Sequence, residues 1–192
     1  MADTLKDNMT KTVLLKAAGI ASFLLAAFGG FLKNVAPPAE TGAWVWVGFA
    51  SFAVLIIFLY ISALSHRKRR ARTNNRWLAT SVVFFVIAIG SAWEYGVSLD
   101  RLTFWYPPAH PTARYVAGTV LTPKGQQYEP SPEQYSKVVF EFGLDNRDKI
   151  WTGDSILHSK HVLCAYYVVT IVSLAGTIFC LTEGVQHKSY KA

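Results

Sequence analysis

Two histidines, His158 and His161, lie three residues apart, and Asp154 precedes the first by four. On a helix, that spacing puts two imidazoles and a carboxylate on neighbouring positions of one side, a donor set that divalent metals accept. The set lacks a fourth ligand, and His110 is the one other histidine in the surrounding polar stretch. The three residues also sit where a polar segment meets an apolar run, a place that carries polar side chains without any metal. Asp154, His158 and His161 are therefore a metal candidate on which the lowest-ranked function, a membrane enzyme or metal-binding protein, would rest.

Ionisable groups inside apolar runs are the second source of chemistry, because burying a charge in hydrocarbon needs a reason. Two qualify, Lys16 and Glu94. Lys16 lies one turn from the end of its run, close enough to snorkel its ammonium to water. Glu94 lies near the opposite face of the membrane, so the two differ in depth by about 20 Å at helical rise and do not pair. Glu94 reads first as an interfacial carboxylate and second as a group lining an ion path or gripping a partner. Nothing resembles a phosphate-binding glycine loop, a G-x-S-x-G elbow or an H-E-x-x-H helix. The chain thus reads as a non-enzyme, with no cofactor expected beyond bound lipid.

The densest charge is "HRKRRARTNNR", residues 66–76, with Arg67, Lys68, Arg69, Arg70, Arg72 and Arg76 and no acid. In isolation such a run suits nucleic acid. Its setting between two long apolar runs points instead to membrane orientation and anionic lipid headgroups, so no nucleic-acid partner is expected.

The elements that must position these residues follow from the apolar runs. The chain has 192 residues, 52% of them hydrophobic and only 16% charged, a balance foreign to an ordinary soluble domain. Four runs dominate, at about 12–32, 43–65, 77–97 and 162–182. Each has the roughly 20 residues that cross a ~30 Å hydrocarbon core. The first reads as an uncleaved signal-anchor, since its flank contains Asp3 and Asp7. Two cysteines, Cys164 and Cys180, are too few for a disulfide framework and too far apart on one helix to bridge.

Charge placement gives the expected direction. Residues 99–161 hold seven basic and seven acidic side chains, so the net charge of +7 comes from elsewhere. The flanks alternate basic, neutral, basic, neutral, basic along the chain, which sets both termini and the 66–76 loop on the cytoplasmic side. Residues 98–161 then face outward from a plasma or inner membrane.

The expected fold is an all-α integral membrane protein. Four transmembrane helices form a bundle, with a small α+β segment between the third and fourth. Residues 1–97 comprise a cytoplasmic amino terminus and the first three spans, 98–161 the outer segment, and 162–192 the last span and a tail. Ala18, Ser22, Ala26 and Gly30 form a small-residue stripe along the first span, a line on which another helix can approach closely. Within the outer segment, residues 114–128 predict one or two short strands with a turn at Pro123–Gly125. Residues 132–142 predict a helix, with Ser131 as its N-cap, Pro132 and Glu133 in its first turn and Gly143 as its stop.

A short first outer loop and a larger outer region between spans three and four resemble the layout of tetraspanins. The Cys-Cys-Gly motif of that family is absent, and so is any cysteine between 98 and 161, so no residue roles carry over.

About sixty residues without a staple bury little surface of their own. Phe104, Trp105, Tyr106 and Trp151 are therefore expected on an interaction surface. Together these features favour a non-catalytic subunit that assembles with other membrane subunits or with copies of itself. A homo-oligomeric channel or pore-forming effector is the alternative.

Overall fold

The structure is a computed structural model that describes residues 37–42, 72–108, 113–128 and 130–189, together with Gly19 and isolated positions between 45 and 61. Apart from Gly19, the expected first span with its small-residue stripe and Lys16 lies outside the described residues, as do Arg67 to Arg70. The described positions between 45 and 61 are helical.

Three helices and one small sheet follow. Helix α1 covers Arg72–Leu102, strands β1 and β2 cover Thr103–Tyr106 and Ala113–Val116, helix α2 covers Tyr135–Phe142, and helix α3 covers Gly153–Ser189. Mostly helical and carrying a two-stranded sheet, this is the coarse architecture expected. Two stretches, Asn75–Leu102 and Gly153–Gly184, are long and apolar enough to cross a membrane.

Both long helices overrun the apolar runs that predict them. α1 continues past residue 97 because nothing there breaks it until the β-favouring Thr103-Phe104-Trp105-Tyr106 begins. α3 starts directly after Thr152, nine residues ahead of the run that begins at 162, with Asp154 in its first turn near the positive helix end. At 31 and 37 residues the helices measure roughly 46 and 55 Å at 1.5 Å per residue, longer than the hydrocarbon layer itself.

The chain divides into two compact units. In the first, whose described residues include stretches within 48–90 and 168–189, α3 buries Ile171, Ala175 and Phe179 on one side and Ser173, Thr177 and Cys180 on the nearly opposite side. Trp77 meets Phe179 edge-on with ring centroids 5.8 Å apart. A Cβ built on Gly176 would stand 3.0 Å from the Phe84 ring, so the glycine lets that ring lie against the helix backbone.

The second unit takes residues 37–47 and 91–167. Its sheet pairs β1 with β2 antiparallel, in the register Thr103↔Val116, Phe104↔Tyr115, Trp105↔Arg114, Tyr106↔Ala113. Alternation along the strands sorts the side chains into two sets. Phe104 stacks on Tyr115 and on Trp151, and Tyr106 meets Tyr115 edge-on. With Ala117, Val139 and Ile150 these rings form the core of the unit. Thr103, Trp105 and Arg114 stand on the other set.

Residues 132–142 are one helical stretch in two parts, a 3-10 turn at Pro132–Gln134 and then α2. Pro132 fits the first turn, where its missing N–H costs nothing. Gly143 ends the helix at φ 84°, a conformation that a side chain disfavours, and its N–H donates to Val139 O at 2.9 Å. A single antiparallel bridge, Leu121↔Trp151, ties the loop after β2 to the residues that lead into α3.

Candidate functional site

The second unit carries the best-defined polar geometry, built around Glu40. The segment Pro38–Gly42 makes a 3-10 turn, closed by the Thr41 hydroxyl donating to Pro38 O at 2.8 Å and ended by Gly42 at φ 63°. That turn presents the Glu40 carboxylate to Arg147. Arg147 Nη1 donates to Oε1 at 2.9 Å and Nη2 to Oε2 at 2.7 Å, a two-pronged pair matching the fork of a guanidinium to a carboxylate. Val116 N–H donates to Oε1 as well, and Lys160 Nζ stands 3.9 Å from Oε2. Arg147 is held in turn by Val116 O, by Leu144 O and by the Tyr115 ring beneath it. Both partners are four-fifths buried, so solvent screens this pair far less than a surface pair. The arrangement has fixed donors and no open coordination position, so what it does is hold the 37–42 turn against β2 and the loop after α2.

A cleft of about 340 Å³ opens between the sheet and the start of α2. Trp105 and Arg114, paired across the strands, form one wall, and Glu133 and Ser136 of the helical stretch form the other. The Arg114 guanidinium lies 5.6 Å from the Trp105 ring centroid, within cation–π range. Arg114 is anchored by Nε to Thr103 Oγ1 at 2.6 Å, and by Nη2 to Leu99 O and Asp100 Oδ1, both at 3.1 Å. Trp105 nonetheless keeps 48% of its surface open. Packed against the core, Tyr135 meets Trp151 edge-on at 5.0 Å, and burial raises its hydroxyl pKa above the ordinary 10.0. Tyr135 therefore stays protonated at physiological pH and acts as a packing group.

The metal candidates do not assemble. Asp154, His158 and His161 are all exposed on α3, and among the described residues no three His, Cys, Asp or Glu side chains gather into a metal-holding group. Glu94 is exposed on α1. Arg72 opens α1, and Arg76 is exposed one turn on.

The four aromatic residues expected on an interaction surface part company. Phe104 and Trp151 are 4% and 1% exposed, because their rings supply the unit's own core. Trp105 stays half open and Tyr106 is partly covered. Phe140, 61% exposed on α2, joins Trp105 on the open apolar surface of the unit.

Sequence reasoning missed two residues. Glu40 lies in the short link between the first two apolar runs, and no local signal ties it to Arg147, 107 positions on. Glu183 fell one residue outside the run ending at 182, whereas α3 continues to Ser189 and buries Glu183 to 1% exposure. A carboxylate following sixteen or more apolar residues in a helix was the available signal.

No family model matches the chain, and neither the curated proteins nor the solved structures contain a match to it.

Proposed function

We propose that the chain is a non-catalytic integral membrane protein with four spans, working as an assembly or accessory subunit of a membrane complex. Residues 98–161 serve as its outward-facing interaction surface, and both termini are cytoplasmic. One observation carries the reading: the apolar window of α1 is only 17% buried, leaving Val82, Val83, Phe85, Val86, Ile89 and Trp93 open along its length. An apolar helix so uncovered needs lipid on some faces and other protein on the rest. Trp105 and Phe140, open at the surface of the second unit, extend the same demand beyond the apolar helices. Anionic lipids would be held by the basic loop at 66–76.

The homo-oligomeric channel keeps a place through Glu183, a buried carboxylate on a helix that also buries Ser173 and Thr177. Native mass spectrometry of the full chain, extracted in mild detergent, tests both readings. The expected particle holds several copies or further subunits, and a strictly monomeric particle in detergent and in nanodiscs overturns the assembly role. A closed ring of identical chains that conducts ions in a planar bilayer, with conductance lost in Glu183→Gln, would replace it by the channel.

A further inference from the structure

We propose that the cleft between the β1–β2 sheet and the start of α2 binds a neutral, polyhydroxylated ring, that is, a sugar residue. Charge narrows the class first. A cationic ligand drawn to the Trp105 indole would meet the Arg114 guanidinium already in place 5.6 Å from that ring. An anionic ligand would face the carboxylates of Asp100 and Glu133, while Arg114 already has its counter-charge in Asp100 at 3.1 Å. A purely apolar ligand would desolvate all of these groups and return no hydrogen bonds, which is costly. A neutral ligand avoids each of these penalties.

The unused hydrogen-bonding groups then fix the chemistry. Arg114 commits Nε and Nη2, so Nη1 has no acceptor among the described residues. Glu133 makes no ion pair among them, and neither the Ser136 hydroxyl nor the Trp105 indole N–H has a hydrogen-bond partner there. The cleft therefore offers two N–H donors, a carboxylate acceptor and a hydroxyl of both kinds around a half-open indole. Sugar hydroxyls each donate and accept, and the C–H face of the ring is apolar enough to lie on indole. Pro108 and Pro132 complete the walls with rigid apolar surface.

Size and rigidity agree. Ligand pockets span about 300–1,000 Å³, and a cleft at the small end admits about one or two six-membered rings. Strand pairing fixes the Trp105 backbone, and three hydrogen bonds fix Arg114 beside it, so little ordering is left to the moment of binding. The sugar could arrive free in solution or as the headgroup of a glycolipid, and the chemistry at the cleft is the same.

Saturation-transfer NMR on the full chain tests this, in phosphatidylcholine nanodiscs prepared through a sugar-free detergent. The probes are the methyl glycosides of glucose, galactose and N-acetylglucosamine, cellobiose, and nanodiscs doped with glucosyl- or galactosyl-diacylglycerol. Saturable transfer to ring protons of a free sugar identifies a soluble ligand, and transfer confined to the doped discs identifies a lipid headgroup. Trp105→Ala should abolish the signal, and the exposed Glu133→Gln should weaken it about fivefold or more, while Phe140→Ala outside the cleft leaves it unchanged. If Trp105→Ala does not fold, Glu133→Gln decides alone. Absence of saturable transfer from every probe, or wild-type transfer in Glu133→Gln together with any folded Trp105→Ala, overturns the proposal.

Discussion

At the scale of single residues, Glu40 shows how one carboxylate can organise a surface. Its oxygens accept from Val116 N–H and from both terminal nitrogens of Arg147, with Lys160 close by. Charge-assisted bonds of this kind, with each partner four-fifths buried, are strong individually and costly to break singly. Glu40→Gln should lower the stability of the second unit by about 2 kcal/mol, since an amide cannot accept both prongs of the guanidinium. Arg147→Gln should cost a similar amount, and the double variant less than the sum, with a coupling of about 1–3 kcal/mol. Denaturant unfolding of the full chain in detergent, followed by the fluorescence of the buried Trp151, measures all three. Additive losses would mean that the pair is no more than an exposed contact. Nothing in the neighbourhood of Glu40 foretells this role, because a bond between positions 40 and 147 exists only once β2 and the loop after α2 have met.

Elements were legible where their signals are local. The helical stretch 132–142 follows from Ser131-Pro132-Glu133 at one end and Gly143 at the other, and it forms in those places as a 3-10 turn running into α2. The β1–β2 sheet was half legible: aromatic and β-branched residues mark extended chain, but the register that sets Trp105 opposite Arg114 does not show in either strand alone. The cleft was illegible for the same reason, being made of residues from α1, both strands and the helical stretch at 132–136. Tight packing between elements makes the second unit sensitive at Gly118. A Cβ there would stand 2.3 Å from Ser155 Oγ and 2.5 Å from Trp151 Cβ, distances that only a shift of α3 or of the core tryptophan can relieve. Gly118→Ala should therefore destabilise the unit by about 1–3 kcal/mol, the usual range for overpacking, despite adding a single methyl group. Limited proteolysis across a temperature ramp should show residues 98–161 cut several degrees earlier than in the wild type. An unchanged ramp would mean that the loop after β2 yields without cost.

At the scale of the whole molecule, the proposed orientation rests on the distribution of charge along the chain. The six cations at Arg67, Lys68, Arg69, Arg70, Arg72 and Arg76 lie in a link between two apolar runs, whereas residues 99–161 balance seven positive against seven negative side chains. Short basic links resist translocation and a balanced segment does not, so the link should stay cytoplasmic and the second unit should cross. The consequence is measurable, because Ser131 is exposed on that unit. In a Cys164→Ala, Cys180→Ala background, Ser131→Cys should react with a membrane-impermeant maleimide added outside intact cells. Replacing all six cations by Gln removes the strongest retention signal, and labelling from outside should then fall by about half or more as chains insert in mixed orientations. Neutralising Lys188 and Lys191 instead should change the labelling little, since two charges beyond the last apolar run are a weaker signal than six between two runs. Full labelling in the six-Gln variant would assign orientation to the amino-terminal lysines and leave the basic loop to lipid headgroups alone. No labelling in the starting protein would reverse the sidedness, and with it the exposure of the cleft and of Trp105 and Phe140 to the outside.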